Sequence, residues 1–191
     1  MSKVLKSSLP LIILVAITAL GFGVWFSADQ QSQSNGQGQG QQSKQAFEID
    51  LSEFLTQTYP DPRGESIVVK DTMQELNLIN FWATWCAPCR HEMPIFETVY
   101  QRHRDKGFSV IGLTIDDAEP AETFLQSIGV TYPALILGDL GWELLGTFGN
   151  KQGLLPYSVL TDKQGVVLER KLGEIDEDLL SEWIEKHLNK V

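Results

Sequence analysis

Apolar residues in the C-terminal three-quarters of the chain fall into short runs of the kind that form β-strands. Two runs, at 76–82 and 108–115, are almost continuously apolar, which is typical of strands buried on both faces of a sheet. Residues 66–71 alternate between polar and apolar side chains, as many strands do. Polar turn residues at 162–165 separate two further runs and indicate a hairpin. The predicted strands are 66–71, 76–82, 108–115, 134–137, 157–161 and 166–171.

Three helices are predicted among these strands. The first, 87–104, contains Pro94, which is expected to interrupt it. The second, 120–128, is followed by Gly129, a residue type that commonly ends helices. The third, 176–188, carries acidic residues in its first turn, where they interact favourably with the helix dipole. This order of elements, with a hairpin and a last helix at the end, predicts an α/β fold with a mixed central sheet covered by helices on both faces.

Residues 1–26 have the pattern of a membrane-targeting segment. Lys3 and Lys6 precede an uncharged run of 18 residues, 9–26, which is near the lower limit for a membrane-spanning helix. The run is long for a cleaved signal, although a signal cleaved after Ala28 and a buried core helix are the alternatives. We therefore expect an uncleaved single-pass anchor with its basic end in the cytoplasm and the rest of the chain outside the inner membrane.

Residues 27–45 are dominated by Gln, Ser and Gly and cannot bury enough apolar surface to offset the entropy of ordering. They predict a flexible tether with a root-mean-square span of roughly 25 Å, and an aggregation-prone Gln tract is the alternative. Residues 46–191 then form the folded domain. The net charge of the chain is −10, which argues against a nucleic-acid partner because phosphates would be repelled. Solubility, or attraction to basic proteins, accounts for the acidity.

The only two cysteines, Cys86 and Cys89, directly follow the buried run at 76–82 and begin the helix at 87–104. A Cys-x-x-Cys pair in this place is typical of a redox centre. Residues three apart in a first helical turn lie on one face, so the two sulfurs can meet. The first sulfur also faces unpaired N–H groups at the positive end of the helix, which favours the reactive thiolate. Pro88 suits this turn because a missing N–H costs little there.

Two other interpretations of the cysteine pair were weighed. A closed zinc site needs four ligands, whereas the three histidines, His91, His103 and His187, are scattered and there is no second cysteine pair. A purely structural disulfide would gain little stability, because it would close a very short loop. We therefore expect neither a metal nor an organic cofactor, and we expect the Cys86–Cys89 disulfide to be the redox group.

Residues 80–94, which read NFWATWCAPCRHEMP, resemble the active-site stretch of thioredoxin-like proteins. More narrowly, they are similar to the membrane-anchored TlpA/ResA type of bacterial thiol:disulfide reductase, and the order of anchor, tether and domain matches that type. The resemblance covers roughly residues 64–188. It implies a thioredoxin-like fold and dithiol–disulfide exchange through the WCAPC motif.

The resemblance also points to Glu92 as a catalytic residue. Thioredoxins usually carry a buried acid in the strand before the motif, and the matching position here is Asn80, which cannot take up a proton. The ResA type instead places an acid three residues after the second cysteine, which matches Glu92. One helical turn separates Glu92 from Cys89, so its carboxyl could lie beneath the cysteines, have a raised pKa and relay a proton to Cys89. A solvent-facing Glu92 is the alternative.

A second family mark lies at residues 154–157, which read LLPY. The resemblance implies that Pro156 is a cis-proline opposite the cysteines. It also implies that the Leu155 backbone pairs with an extended substrate segment, as in strand addition. An ordinary trans proline at the first residue of a strand is the alternative. We therefore assign Leu155 and Pro156 to substrate binding.

Residues beside the cysteines are further candidates for substrate contact. Trp85 directly precedes Cys86 and is expected to form an exposed rim, with core packing as its alternative. Pro88 lies between the two cysteines and is assigned to the same surface. Trp82, by contrast, is expected to lie in the core, and Trp142 is interpreted as local packing.

The predicted function is the reduction of disulfides in partner proteins outside the cytoplasm. Ala87 and Pro88 provide no histidine or charge to stabilise the thiolate further, which favours a reductant over a strong oxidant. The resemblance implies that apocytochrome c is one of the substrates and that a membrane thiol donor of the CcdA or DsbD type returns the electrons. The alternatives are a disulfide-forming oxidant, a peroxiredoxin-type peroxidase, and a binding or chaperone module on the same fold.

Overall fold

The computed structural model describes residues 50–188. The predicted anchor at 1–26 and tether at 27–45 lie outside these residues. Within 50–188, no helix combines the length and the apolar character that a bilayer crossing requires.

Strands and helices alternate along the described residues. The strands are β1 (Thr58–Pro60), β2 (Ser66–Val68), β3 (Leu76–Trp82), β4 (Phe108–Thr114), β5 (Ala134–Ile136), β6 (Tyr157–Asp162) and β7 (Val167–Leu172). The α-helices are α1 (Ser52–Thr56), α2 (Val69–Thr72), α3 (Ala87–His103), α4 (Ala118–Ile128), α5 (Leu140–Thr147) and α6 (Glu177–Leu188).

The central sheet has the strand order β5-β4-β3-β6-β7. Strands β3, β4 and β5 are parallel, while β6 runs antiparallel to β3 and β7 antiparallel to β6. The sheet is therefore mixed, as predicted. Phe81 in β3 is paired with Tyr157 in β6, so the C-terminal end of β3 lies beside the first residue of β6. This register brings the chain that leaves β3 close to the chain that enters β6.

Both faces of β3 are buried, because helices cover the sheet on each side. Side chains alternate along a strand, so Leu78 and Trp82 lie on one face with α3, α4 and α6, while Ile79 and Phe81 lie on the other. We name the first the cysteine face, since its core includes both cysteines, and the second the aromatic face. The largest buried side chains of the aromatic face include Phe54, Phe81 and Phe148.

The prediction of a strand at 66–71 is wrong for residues 69–71. The strand that does form lies outside the central sheet. Strand β2 ends at Val68, and it pairs with β1 in a separate two-stranded sheet. The chain then turns into α2, which places Val69 fully inside the core of the aromatic face. The Val69 N–H donates to the Gln57 carbonyl (3.1 Å). Alternation over six residues could not reveal this change, because its cause is a contact with a distant segment.

The predicted interruption of the helix at Pro94 is also wrong, since α3 continues to His103. The Pro94 ring is exposed, and its neighbours Met93 and Phe96 are fully buried. Packing of these two side chains offsets the one backbone hydrogen bond that proline removes. The predicted end of helix α4 at Gly129 is confirmed, because this glycine adopts a left-handed conformation with φ of 70°.

Besides α2, three further elements were not predicted from the sequence: helices α1 and α5 and strand β1. Helix α5 carries glycines that lower helix propensity. At one of them, Gly141, a Cβ atom would collide with the Ile115 side chain, so the glycine permits close packing on the chain that leaves β4. Helix α1 buries Phe54 in the core of the aromatic face. Residues 50–63, which the family resemblance did not cover, are thus part of the folded domain.

Candidate active site

The cysteine pair lies at the N-terminus of α3 and is joined in a disulfide. Cys86 is the N-cap residue with an extended backbone, and its Sγ accepts the N–H of Cys89 at 3.3 Å. This contact confirms the predicted approach of a helix amide to the first sulfur. Cys86 retains 5% of its surface in contact with solvent, whereas Cys89 is fully buried. Cys86 is therefore the more accessible of the two cysteines.

Glu92, one helical turn after Cys89, is fully buried, so the solvent-facing alternative is wrong. Its Oε1 accepts Asn80 Nδ2 at 2.8 Å, and its Oε2 accepts the Ile175 N–H at 2.9 Å. Burial raises the pKa of Glu92 to about 8, against the opposing effect of these two hydrogen bonds, and the nearby charge of Glu174 raises it slightly more. The carboxyl can therefore gain and lose a proton near neutral pH.

Asn80 holds Glu92 in place from β3. It lies on the cysteine face because it is two positions from both Leu78 and Trp82 in a strand whose side chains alternate. Its Nδ2 donates to Glu92 and also to Ser158 Oγ on the adjacent β6, at 2.9 Å. Its Oδ1 is buried with no hydrogen-bond partner among the described residues. Asn80 is thus a hydrogen-bond donor to the acid, a role that its sequence position did not reveal.

The loop before β6 meets the cysteine loop at the C-terminal end of β3. Pro156 is buried and follows Leu155 through a cis peptide bond, as the resemblance implied. Its carbonyl accepts the Gly173 N–H at 2.9 Å. Leu155 is half-buried against the core that contains both cysteines. Within residues 50–188, neither its N–H nor its carbonyl forms a backbone hydrogen bond, so both remain available.

The tryptophans divide into buried and exposed groups. Trp82 is fully buried, as predicted, and Trp85 is 63% exposed beside Cys86. Trp142 is 44% exposed, and its ring lies 3.5 Å from the position that a Cβ on Gly153 would occupy. The next residue, Leu154, is 51% exposed. The contact with Gly153 agrees with the interpretation of Trp142 as local packing, and the exposed part of the ring lies near the loop before β6.

Sequence reasoning missed the partners of Glu92. Asn80 reaches Glu92 from β3 and is itself bonded to Ser158 on β6, and Ile175 contributes only a backbone N–H. Such a donor has no residue signature, and only the tertiary structure reveals it. In the part of the chain that is described, no group of three or more His, Cys, Asp or Glu side chains could hold a metal ion.

Comparisons with known proteins agree with this site. The Redoxin family model matches residues 52–184. The thiol-disulfide oxidoreductase ResA of Bacillus thuringiensis (strain Al Hakam) is 36% identical over 127 residues, which cover 66% of this chain and 71% of that protein. The ResA protein of Bacillus subtilis (strain 168) is 25% identical over 125 residues, which cover 65% of this chain and 68% of the relative.

A solved structure shows the same fold. The solution structure of a thiol:disulfide interchange protein from a Bacteroides species superposes with a TM-score of 0.60 and 25% identity. The match covers 69% of this chain and 85% of that one. Together with a Cys-x-x-Cys disulfide at a helix N-terminus, these matches show that the chain belongs to the Redoxin family and is a thiol-disulfide oxidoreductase of the ResA type.

Proposed function

We propose that this chain is a membrane-anchored reductase of protein disulfides that acts outside the cytoplasm, with Cys86 as the nucleophile. The assignment of Cys86 as the nucleophile rests on the geometry at the start of α3. The Cys86 sulfur accepts a helix amide, and the residue retains 5% exposure, whereas Cys89 is fully buried. A helix N-terminus stabilises a thiolate at Cys86, and the thiolate is the attacking form.

The exchange proceeds in two steps. The Cys86 thiolate attacks one sulfur of a partner disulfide, so a mixed disulfide forms and the first partner thiolate leaves. Cys89 then loses its proton and attacks Cys86, which forms the Cys86–Cys89 disulfide and releases the second partner thiolate. Two electrons pass to the partner, and the chain ends in the disulfide form that the structure contains.

Glu92 is the proposed proton relay for the second step. Cys89 is fully buried and cannot give its proton directly to bulk water. A carboxyl group with a pKa near 8, one turn away on the same helix, can accept that proton when ionised and return it when protonated. Asn80 and the Ile175 N–H hold both carboxylate oxygens, so the acceptor is oriented before the reaction begins.

The substrate contacts proposed are Trp85, Pro88, Leu155 and Pro156. The unpaired N–H and carbonyl of Leu155 support pairing with an extended partner segment, since an added strand needs both groups. Trp85 and Pro88 are exposed on either side of Cys86. We add Trp142 and Leu154, which extend the apolar surface beyond the Pro156 loop.

The compartment and partners complete the proposal. The basic N-terminus and the uncharged run at 9–26 support an anchor with the catalytic domain on the extracytoplasmic side. A reductase there needs electrons from across the membrane, so a thiol donor of the CcdA or DsbD type would reduce Cys86–Cys89 again. Apocytochrome c, before haem attachment, is the proposed substrate that the family resemblance supports.

Trapping in the membrane tests the chemistry. The full-length Cys89→Ser variant cannot complete the second step, so it should accumulate mixed disulfides through Cys86 that a reductant releases. The matched control is the double variant Cys86→Ser with Cys89→Ser, which should trap nothing. Stronger trapping through Cys89 in a Cys86→Ser variant would reverse the two roles, and identification of the captured protein tests the cytochrome assignment.

Topology needs a separate experiment. A reporter enzyme that works only outside the cytoplasm, fused after Val191, should be active, and salt should not extract the intact chain from membranes. A mature N-terminus near Asp29 would contradict the anchor and indicate a secreted enzyme instead.

A further inference from the structure

Residues 173–175, which directly follow β7, touch two parts of the site that are far apart in sequence: the Pro156 loop and residues 91–92 of α3. The Gly173 N–H donates to the Pro156 carbonyl at 2.9 Å. The side chain of Glu174 pairs with His91 Nδ1 on α3. The Ile175 N–H donates to Glu92 Oε2 at 2.9 Å. Three consecutive residues thus join the substrate loop, the outer face of the active-site helix and the buried acid.

The Glu174–His91 pair lies at the surface, directly above the buried contact. His91 immediately precedes Glu92 on α3, and Glu174 immediately precedes Ile175. The pair therefore holds the two backbones side by side at the place where the Ile175 N–H must reach the carboxylate. On each side of this contact an exposed side chain, His91 or Glu174, precedes a buried group, the Glu92 carboxyl or the Ile175 N–H.

Glu174 and Ile175 act on the Glu92 pKa in opposite directions. The Ile175 N–H stabilises the carboxylate and lowers the pKa, whereas the negative charge of Glu174 raises it. The other groups facing Glu92 are Asn80 from β3, the Tyr132 hydroxyl from the chain before β5, and the disulfide-bonded Cys89 from its own helix. Asn80 carries no charge, and burial together with the Glu92 charge raises the Tyr132 pKa well above its ordinary value.

We propose that residues 173–175, fastened to α3 by the Glu174–His91 pair, are a positioning element that holds the Ile175 N–H on Glu92 and links the acid to the Pro156 loop. The proposal rests on the proposed role of Glu92 in proton transfer. A substrate segment that pairs with Leu155 would press on Pro156, and the Gly173 hydrogen bond would carry that displacement to Ile175. Glu174 and His91 are positioning residues, because neither touches the sulfurs.

A second ion pair between α3 and the C-terminal part of the chain provides a control. Arg102 Nη1 on α3 contacts Glu177 Oε1 at 2.8 Å in the first turn of α6. It ties α3 to the chain just after residues 173–175, but it makes no contact with the Ile175 N–H or with Glu92. If both pairs merely held α3 against the C-terminal part of the chain, they would give the same result, whereas a positioning role is specific to Glu174–His91.

The experiment follows the Ile175 amide by nuclear magnetic resonance in the oxidised full-length chain, held in detergent micelles. Cysteines in a disulfide do not titrate, so an inflection of the Ile175 amide shift near pH 8 reports the ionisation of Glu92. Glu92→Gln should remove that inflection and so verifies the assignment. Amide exchange of Ile175 reports, separately, how well the hydrogen bond is held.

The two members of the pair should move the inflection in opposite directions. Glu174→Gln keeps a side chain that can accept from His91 but removes the charge, so the Glu92 pKa should fall while Ile175 exchange stays slow. His91→Ala releases the segment and leaves the charge, so the Glu92 pKa should rise and Ile175 exchange should become faster. Glu177→Gln should change neither measurement.

Equal Ile175 exchange in wild type and His91→Ala, or an equal response to Glu177→Gln, would overturn the positioning role. In reductase assays, His91→Ala should lose up to about tenfold in rate at pH 7, which corresponds to one hydrogen bond to a charged group. If the resonance shifts occur as stated while the wild-type chain reduces no protein disulfide, the positioning element stands and the proposed function fails.

Discussion

The two faces of the central sheet are built from different chemistry. The core of the aromatic face packs Phe148 edge-on against Phe54 and Phe81, with ring centroids about 5 Å apart. The core of the cysteine face contains the Glu92 carboxyl, and it includes the Trp82 Nε1 and the Tyr132 hydroxyl, which have no hydrogen-bond partner among residues 50–188. Both faces bury polar side chains, among them Asn77 and Thr161 on the aromatic face, but among residues 50–188 the buried acid with a raised pKa, Glu92, lies on the cysteine face.

Within strand β3, residues that face the aromatic core contribute to folding, and residues that face the cysteines contribute to the chemistry. Phe81 faces the aromatic core while its neighbours Asn80 and Trp82 face the cysteines, so adjacent residues of β3 serve opposite purposes. Burial of a carboxyl costs free energy unless it is protonated or well bonded. The aromatic face, which contains no such group, supplies packing that offsets this cost. Substitutions on the two faces should therefore affect different measurements.

The largest effect is expected for Cys86→Ser, on the cysteine face. It removes the proposed attacking sulfur, so reduction of insulin-type disulfides should be lost entirely. The free energy of unfolding should change little compared with the reduced wild type, because serine is nearly the same size. Denaturant unfolding and a turbidity assay on the same preparation check both halves. Residual activity above that of the double cysteine variant would contradict the assignment.

Phe148→Ala should have the next largest effect, now on stability. Phe148 is fully buried between two aromatic rings, so its truncation should lower the free energy of unfolding by about 3–5 kcal/mol. The reductase rate of the molecules that remain folded should be unchanged. Chemical denaturation followed by assays well below the transition tests this. A proportionate loss of rate in fully folded protein would show that the two faces are not independent.

Stability should depend on pH through Glu92. The pKa is 4.5 when unfolded and about 8 when folded, so between these values the native state holds a proton that the unfolded state has lost. The contribution of this group to the free energy of unfolding therefore falls as pH rises from about 4.5 to about 8, by a few kcal/mol. Glu92→Gln lacks this dependence.

Thermal unfolding of the oxidised wild type and of Glu92→Gln, compared from pH 5 to pH 8, measures the effect. The difference in Tm should move in favour of the variant as pH rises. A constant difference would indicate that Glu92 ionises as easily in the folded chain as in the unfolded one.

Glu92→Gln should also change the thiol chemistry of the reduced chain. The carboxylate opposes a nearby thiolate, so its removal should lower the apparent pKa of Cys86 or Cys89. Steps that need proton transfer to or from Cys89 should slow by on the order of a hundredfold. Alkylation rate against pH, together with reductase rate, is the measurement. Curves that superimpose, with equal rates, would exclude Glu92 as the relay.

The smallest effects are expected at the exposed aromatic residues. Trp142→Ala and Trp85→Ala should each raise KM for a protein substrate by about fivefold, with kcat nearly unchanged, because they remove apolar contact outside the reacting sulfurs. Val166→Ala is the matched control, since Val166 is 56% exposed in the hairpin turn at the opposite end of the sheet. An equal rise in KM for Val166→Ala would show that the effect is not local to the site.

Much of the fold was predictable because strong patterns act locally. The bounds of β3 were predicted correctly at Leu76–Trp82, since a strand buried on both faces requires a continuous apolar run. Gly129 ends α4 in the conformation that a helix C-terminus favours for glycine. The placement of Cys86 and Cys89 at the start of α3 followed from their spacing and from the buried run that precedes them.

Tertiary packing decided the features that the local pattern left open. Helix α3 passes through Pro94 because Met93 and Phe96 are buried on either side, and α2 replaces the end of a predicted strand because Val69 enters the core. Helix α5 packs against the chain that follows β4 because Gly141 leaves room for the Ile115 side chain.

The cysteine pair itself was therefore determined by the sequence, and the environment of Glu92 by the tertiary structure. A Cys-x-x-Cys motif at a helix start consists of two residues three positions apart, so it can be read directly from the sequence. The Glu92 pKa instead depends on burial, on Asn80 and on the Ile175 N–H, which lies 83 residues away. Burial and backbone donors are properties of the assembled chain, because they arise only when distant segments exclude water together.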